Sequence, residues 1–261
     1  MKKNTLLLAA LVAALIPSID AQTTPARAPA PLTVPKHYDP SVPAQKDNGR
    51  FIELHNQFLA RGKEGPIGVL FLGDSITEGW NTRAKDLFNA TYGKYQPGNF
   101  GISGDTTQGV LWRIDHGELD GIHPKVLVYM LGTNNSATAT ADEIILAENK
   151  VIGAIRAKLP DTKILLLAIF PRGPRNDYKA PGVTDEDVAR TKMAVITEVN
   201  HALASLDDGK TIRFLDIGPS FLDANGKIPK EIMNDALHPT LAGYQIWVKA
   251  MDPLLTEMMA Q

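Results

Sequence analysis

The sequence predicts an α/β fold: a three-layer, doubly wound sandwich around a central, mainly parallel sheet of five strands. Four runs of apolar and β-branched residues are nearly continuous rather than alternating, which is typical of parallel strands covered on both faces. These runs span residues 67–72, 126–131, 164–169 and 212–217. Amphipathic segments separate them, and strands that alternate with helices fold through right-handed crossovers into a doubly wound sheet.

A local pattern indicates each remaining element. A fifth, weaker strand is predicted around residues 99–101. Apolar residues recur at helical spacing over 144–159, directly after two acidic residues that favour a helix N-terminus. Thr184, with an aspartate three residues later, has the pattern of a capped helix start and predicts a helix over 184–206. A last helix is predicted over about 240–258.

The composition bounds the classes of protein to which the chain can belong. It has 261 residues, 44% of them hydrophobic and 21% charged, which is enough apolar material for one large α/β domain or two small ones. The absence of cysteine excludes thiolate zinc sites, iron–sulfur clusters, a cysteine nucleophile and a lipidated cysteine. The net charge of −2 argues against nucleic acid as a partner, because phosphate binding needs a basic surplus.

The first residues have the pattern of a secretory signal. Lys2 and Lys3 precede an apolar run over 5–16, and a small residue, Ala21, stands before the expected cleavage point. The run is too short to cross a bilayer, which takes about 20 apolar residues. A retained amphipathic anchor is the alternative. We therefore expect residues 1–21 to be removed from a secreted or periplasmic protein that keeps no stable membrane anchor.

The segment that follows is rich in proline, alanine and threonine. Because proline removes backbone donors and favours extended chain, residues 22–46 are interpreted as a linker. No internal repeat and no second break in composition follow. One domain is therefore predicted over 47–261.

Three motifs that could carry chemistry lie at the ends of predicted strands. They span residues 73–77, 99–107 and 132–135. Ser75 could present its hydroxyl outward, the Gly104 N–H could donate to an oxyanion, and the Asn134 amide could be a further donor. Taken singly, each also fits an ordinary turn. In a doubly wound sheet, however, the carboxyl ends of the strands are where sites form.

The fourth motif, at residues 235–240, contains Asp235 and His238. An aspartate three residues before a histidine can accept from its Nδ1–H and leave Nε2 free to take a serine proton. A helix-capping aspartate beside a surface histidine is the alternative. The other histidines have no comparable pattern and are interpreted as linker, helix-surface or turn residues. They are His37, His55, His116, His123 and His201.

Together the four motifs resemble those of the SGNH hydrolases, also called the GDSL esterase/lipase family, in order and spacing across the whole domain. The resemblance implies a flavodoxin-like fold and a serine esterase that needs no metal or cofactor. It implies that Ser75 is the nucleophile, that His238 is the base, and that Asp235 orients the base. It also implies an oxyanion hole made by the Ser75 N–H, the Gly104 N–H and the Asn134 side chain.

The stretch over 99–135 is similar to one branch of that family, which holds the catalytic subunits of platelet-activating factor acetylhydrolase and bacterial relatives. Leu111-Trp112-Arg113, Gly117-Glu118-Leu119 and Phe170-Pro171-Arg172-Gly173 carry this similarity. The export signal and an insertion over 174–184 distinguish this chain from the cytosolic animal subunits. The substrate therefore does not follow from the branch.

We expect an exported esterase that hydrolyses short-chain, acetyl esters of a small molecule or glycan, with carbohydrate O-acetyl groups as the first choice. A lipid esterase acting on platelet-activating-factor-like or lysophospholipid esters is the alternative, and a non-catalytic glycan-binding module is a third interpretation. Because His238 acts as a base only when neutral, activity should rise through about pH 6–7. Nothing in the composition specifies an oligomeric state.

Side chains next to the motif residues are expected to shape the substrate site. Ile76, Thr133 and Leu237 would crowd the acyl group, so that only a short one fits. The other candidates are the motif residue Asp74 and four residues on the alcohol side, Trp80, Arg172, Arg175 and Tyr178. Core packing for Trp80 and surface solvation for the two arginines and the tyrosine are the alternatives.

Overall fold

A computed structural model describes residues 38–177 and 179–260. Five parallel strands form one sheet in the order β2-β1-β3-β4-β5, which confirms the predicted fold class. The strands are β1 Val69–Gly73, β2 Pro97–Gly101, β3 Val126–Met130, β4 Lys163–Leu167 and β5 Ile212–Leu215. The predicted signal peptide and the linker up to residue 37 lie outside the described residues.

Seven α-helices lie in the described part of the chain. They are α1 Gly49–Glu64, α2 Ser75–Glu78, α3 Lys85–Tyr92, α4 Thr107–Asp115, α5 Ala141–Lys158, α6 Asp185–Ala204 and α7 Leu241–Ala260. The three predicted helices correspond to α5, α6 and α7. Thr184 caps α6 through a reciprocal capping box with Asp187, as its pattern predicted. None of the helices described here is both long enough and apolar enough to cross a membrane.

The sheet is covered on both faces, which explains why its strands are continuously apolar. Along β1, Leu70 and Leu72 point into one core, which α1, α4, α5 and α6 cover. Val69 and Phe71 point into the other core, which α3 and α7 cover. Successive side chains of a strand face opposite sides, so each strand supplies both cores. The result is the predicted helix–sheet–helix arrangement.

The strand order places a crevice at the carboxyl end of β1. From β1 the chain crosses to β2 on one side of it and then returns to β3 on the other. Connections that leave in opposite directions open a gap above the strand ends, where doubly wound folds bind their ligands. The loops after β1, β2 and β3 all meet at this point.

The last part of the predicted linker packs against the domain. We call residues 38–46 the strap. Ser41 of the strap is buried, and the Ala44 N–H donates to the Gln108 carbonyl of α4 at 3.0 Å. The strap therefore follows the surface of the helices that cover one face of the sheet. The boundary between linker and domain stays a prediction.

Candidate active site

Ser75 stands at a tight turn between β1 and α2. The Asp74 carboxylate accepts from the Ile76 N–H at 2.9 Å and caps the helix. A side chain on Gly73 would lie 2.3 Å from the Thr77 hydroxyl oxygen, so only glycine fits before this turn. Ser75 is therefore the first residue of the helix, with its side chain at the crevice above the sheet.

The structure brings Ser75, His238 and Asp235 into hydrogen-bonding distance. The Ser75 Oγ lies 2.9 Å from His238 Nε2, and His238 Nδ1 lies 2.7 Å from Asp235 Oδ2. The other carboxylate oxygen of Asp235 accepts from the His238 backbone N–H at 2.8 Å. Because an ionised carboxylate only accepts, Nδ1 carries the proton and the Nε2 lone pair faces the serine hydroxyl. This is the arrangement that general-base activation of a serine requires.

The surroundings of the imidazole keep it neutral. Burial lowers the pKa of His238, and this effect outweighs the hydrogen bond and charge of Asp235, which raise it. The Arg83 and Arg175 guanidinium groups lower it further. Partial burial would raise the pKa of Asp235, but hydrogen bonds from His238 outweigh that effect and lower it to about 2. At neutral pH the pair is thus a neutral imidazole beside an ionised carboxylate.

Three hydrogen-bond donors border the space beside the serine oxygen. Gly104 has a left-handed backbone with φ of 69°. In the described part of the chain, the N–H groups of Ser75 and Gly104 donate to no protein acceptor. Asn134 Nδ2 donates to the Asp105 carbonyl at 2.8 Å and lies 3.5 Å from Asp74 Oδ2, and the two contacts fix the amide in place. Ser75, Gly104 and Asn134 all line a cavity of about 290 Å³ beside the serine oxygen.

A second cavity of about 360 Å³ also borders the serine. The residues that line it are mostly of polar or charged type and include Arg50, Glu78 and Arg83. Ser75 and His238 border both cavities. An ester bound at the serine oxygen therefore has one space available for each of its two halves.

Charged side chains form one wall of the smaller cavity. The Asp177 carboxylate is 2.6 Å from Arg172 Nη2 and 2.8 Å from Lys192 Nζ. Arg175 lies between carboxylates, 3.4 Å from Asp177 and 3.5 Å from Asp235. The insertion that the sequence marked thus contributes two charged side chains, Arg175 and Asp177, to the wall of the site.

The residues predicted to bind substrate divide into two groups. Thr133, Leu237, Arg172 and Arg175 line the 290 Å³ cavity. Trp80, in contrast, is fully buried in an aromatic cluster, with its ring centroid 4.4 Å from that of Tyr244. Trp80 therefore packs in the core, which was the alternative to substrate binding.

Two further substrate-binding candidates have buried side chains that lie outside both cavities. The Ile76 side chain is buried in the core beneath α7. The Asp74 side chain is also buried and turned to the helix N–H that it caps, and burial raises its pKa to about 7. Neither side chain lines the two cavities beside Ser75. Tyr178 lies outside the described residues.

A buried charge network supports the loop that carries Gly104, and the sequence did not reveal it. Arg113 is fully buried, 2.9 Å from the Asp105 carboxylate and paired with Glu118. Glu118 in turn accepts from His55 at 3.0 Å, so the expectation of a surface or turn position for His55 is wrong. Arg113 and Glu118 lie in the stretch over 99–135 that is similar to the acetylhydrolase branch. Nothing in their sequence pattern, however, distinguishes a buried ion pair from an exposed one.

Potential metal ligands are dispersed. Within residues 38–177 and 179–260, no group of three or more histidine, aspartate or glutamate side chains is placed to hold a metal ion. The arrangement beside Ser75 instead contains a hydroxyl, a neutral imidazole, a carboxylate and three N–H donors. These groups together suit acyl transfer to a serine.

Comparison with known proteins agrees with this chemistry. The family model described as GDSL-like lipase/acylhydrolase matches residues 71–246. The chain is 30% identical over 214 residues to platelet-activating factor acetylhydrolase IB subunit alpha1 of Homo sapiens, covering 82% of this chain and 86% of that protein. It is 32% identical over 213 residues to subunit alpha2 of Rattus norvegicus, covering 81% of this chain and 86% of that protein.

The fold is shared with solved structures as well. A GDSL-like lipase from Bacteroides thetaiotaomicron superposes with a TM-score of 0.59 at 19% identity. The match covers 78% of this chain and 97% of that structure. At this identity the likeness concerns the fold alone.

Proposed function

Because the chain belongs to the GDSL-like lipase/acylhydrolase family, we propose that it is an exported serine esterase. Its reaction would remove acetyl groups from carbohydrates. That the chain is a carboxylic ester hydrolase follows from the family and its acetylhydrolase relatives. The nucleophile, the substrate and the export are what we propose. The 2.9 Å contact between Ser75 Oγ and His238 Nε2, beside three N–H donors, carries the proposal.

In the first half of the proposed reaction, Ser75 attacks the ester carbonyl while His238 takes the hydroxyl proton at Nε2. Asp235 holds the imidazole in the required tautomer and stabilises the imidazolium that forms. The carbonyl oxygen becomes an oxyanion and receives hydrogen bonds from the donors of Ser75, Gly104 and Asn134. His238 then gives its proton to the leaving alcohol, and an acetyl-serine remains.

In the second half, a water molecule replaces the alcohol. His238 takes a proton from the water, which attacks the acetyl-serine carbonyl, and the same three donors stabilise the second oxyanion. When this intermediate collapses, the proton returns from His238 to Ser75 Oγ. The products are acetate and free enzyme, with no change in oxidation state.

The wall of the 290 Å³ cavity supports a short acyl group. A long apolar chain entering it would meet the Arg172, Arg175 and Lys192 cations with their shared partner Asp177. Removing water from charged groups without a replacement partner is costly. An acetyl group is too short to remove water from these charged groups.

A polar alcohol is supported by the lining of the 360 Å³ cavity. Arg50, Glu78, Thr82 and Arg83 offer hydrogen bonds of the kind that sugar hydroxyls make. The predicted signal over residues 1–21 supports export, to a compartment where polysaccharides are met. Carbohydrate acetyl esters therefore fit both the cavity and the expected location.

A lipid ester is the second candidate, favoured by two observations. The relatives at 30% and 32% identity are named platelet-activating factor acetylhydrolase subunits. In addition, a cavity of about 890 Å³ lies behind Asp235, and much of its lining is apolar, including Met193, Ile228 and Met233. Ser75 and His238 do not line that cavity, however, so an alkyl chain would have to pass Arg175 to enter it.

Acetate release from acetylated xylan and from an acetylated ether phospholipid, measured for the same preparation, tests the proposal. We expect faster release from xylan, and faster release from the phospholipid would replace carbohydrate with lipid. Ser75→Ala should lower p-nitrophenyl acetate hydrolysis by on the order of 10³-fold or more. Equal rates for this variant and the unchanged protein would remove Ser75 as the nucleophile.

A further inference from the structure

We propose that the strap is part of the catalytic unit, and that Lys46 at its end positions the peptide group whose N–H completes the oxyanion hole. The proposal rests on the proposed function, since it assigns Gly104 as an oxyanion donor. We call the loop after β2 that carries Ser103 and Gly104 the glycine loop. Lys46 is assigned a positioning role through the backbone of this loop and makes no contact with substrate.

The strap is attached to the domain before it reaches the site. The Thr107 hydroxyl of α4 donates to the Pro40 carbonyl at 2.7 Å, and both groups are buried. Lys150 Nζ of α5 donates to the Ser41 hydroxyl at 2.9 Å and to its carbonyl at 3.2 Å. With the Ala44 contact to α4, these bonds anchor the strap to two helices. Its path therefore leads Lys46 to the glycine loop.

Lys46 binds the glycine loop at two successive carbonyls. Its Nζ is 2.6 Å from the Gly104 carbonyl oxygen and 3.3 Å from the Ser103 carbonyl oxygen. The Ser103 carbonyl and the Gly104 N–H belong to one planar peptide group and point in opposite directions. An ammonium on the carbonyl side therefore fixes the N–H on the other side, where the oxyanion forms.

The same contact strengthens the donor. A hydrogen bond to the carbonyl of a peptide group polarises its N–H, so each bond of a chain reinforces the next. Gly104 has φ of 69° and is exposed. The neighbouring Ser103 N–H is held by the Glu78 carboxylate at 2.6 Å, so Lys46 adds a restraint on the carbonyl side of the loop. The Lys46 ammonium is half-buried, and this burial lowers its pKa, although the charges of Asp105 and Asp74 partly offset the effect. A hydrogen-bond donor stabilises the transition state most when it is already in position before charge develops on the substrate oxygen.

Lys46→Met tests the proposal, because methionine keeps an unbranched chain of similar length and removes the ammonium. We expect kcat on p-nitrophenyl acetate to fall on the order of tenfold, less than the loss of a whole oxyanion donor costs. KM should stay within twofold, since the ground-state ester does not use the Gly104 N–H fully. Lys46→Arg should recover part of kcat, and Lys46→Gln should behave like Lys46→Met.

Two controls separate positioning from folding. Lys63→Met replaces an exposed lysine of α1 and should leave kcat, KM and the thermal midpoint unchanged. The thermal midpoint of Lys46→Met should lie near that of the unchanged protein. A lower midpoint with a proportionate loss of active protein, measured by titrating the serine, would assign Lys46 a merely structural role and overturn the proposal.

The inference and the proposed function fail in different ways. If the unchanged protein hydrolyses the ester with dependence on Ser75 while Lys46→Met keeps full kcat, the strap proposal alone is wrong. If Ser75→Ala is as active as the unchanged protein, the proposed function fails, and the inference with it. A loss in kcat that Lys46→Arg partly reverses, at constant KM, supports the strap as part of the catalytic unit.

Discussion

At His238 the charge of one neighbouring residue has a measurable consequence. Arg175 stands 3.5 Å from the Asp235 carboxylate, and its cation lowers the pKa of His238 together with burial. A base must be deprotonated to act, so a lowered pKa extends activity toward acid. We therefore expect the acid limb of kcat/KM to have its midpoint below 6.5, the ordinary value for histidine.

Arg175→Met is predicted to move that midpoint upward. Removing the cation takes away one cause of the lowered pKa, so the imidazolium persists to higher pH and activity is lost earlier on acidification. The measurement is kcat/KM on an acetate ester from pH 4 to 9. Arg213→Met, which removes an arginine paired with Glu257 on β5 and α7, is the control and should leave the midpoint unchanged. Coincident profiles for Arg175→Met and the unchanged protein would contradict the assignment.

The sequence predicted residues at strand ends better than it predicted the neighbours of those residues. Ser75, Gly104 and Asn134 each follow a strand, and parallel strands end at one edge of a sheet, so their convergence could be predicted. The direction of the Ile76 side chain depends on the pitch of α2, and that of Trp80 on the 3₁₀ turn over 79–81 that follows it. The packing of α7 over both segments matters as well. Adjacency in sequence to a site residue does not determine that direction, and both side chains lie in the core.

At the scale of elements, the three predicted helices, α5, α6 and α7, are long and periodic. The comparably long α1 was not predicted, and neither were the shorter α2, α3 and α4. Apolar periodicity after two acidic residues predicted α5, and a capping pattern at Thr184 predicted α6. The helix α2 is only one turn long, and its position depends on the tertiary contact with β2 rather than on propensity. The strap was interpreted as a tether because proline content alone does not distinguish extended chain in solvent from extended chain on a protein surface.

Gly101→Ala should show how closely α2 packs against β2. A Cβ at Gly101 would lie 2.2 Å from the Glu78 backbone nitrogen and 2.7 Å from the Thr77 carbonyl carbon. These are backbone atoms of the helix that carries Ser75, so the helix itself must shift. We expect a loss of about 1–3 kcal/mol in the free energy of unfolding, as in other overpacked cores, together with reduced activity.

Gly153→Ala is the matched control. This glycine lies in the interior of α5, is exposed, and a Cβ there would meet nothing within 4 Å. Alanine at such a position should stabilise the protein by about 0.5–1 kcal/mol, because glycine costs that much inside a helix. Urea unfolding measures both variants. Equal stability of Gly101→Ala and the unchanged protein would contradict the close packing of α2 on β2.

At the scale of the whole molecule, the two cores enclose ionisable groups that affect stability. Glu148 of α5 is fully buried between the sheet and α5, and one of its oxygens accepts from the Tyr129 hydroxyl at 2.7 Å. Its other oxygen has no hydrogen-bond partner among the residues that the structure describes. Burial raises the pKa of this carboxyl to about 7. The folded protein therefore holds Glu148 as a neutral acid over a range where the unfolded chain ionises it.

The sign of the resulting pH dependence follows from the two pKa values. Below about pH 4.5 Glu148 is protonated in both the folded and the unfolded protein, so stability does not change with pH on its account and is at its highest. Between 4.5 and about 7 the unfolded chain loses the proton first, so stability falls as pH rises. Above about 7 both states are ionised and the slope ends. Asp74 acts in the same direction, since burial raises its pKa to about 7 as well.

Glu148→Gln should remove the part of this dependence that Glu148 causes, because an amide is neutral at every pH. The quantity to compare is the free energy of unfolding of the variant minus that of the unchanged protein. From pH 4 to pH 8 this difference should rise by on the order of 3 kcal/mol, since each unit of the pKa difference corresponds to 1.36 kcal/mol. Urea unfolding at four or five pH values measures it. Glu64→Gln replaces an exposed glutamate of α1 and should run parallel to the unchanged protein. If Glu148→Gln also runs parallel, Glu148 does not bind a proton more tightly in the folded state, and the core contains an ionised carboxylate.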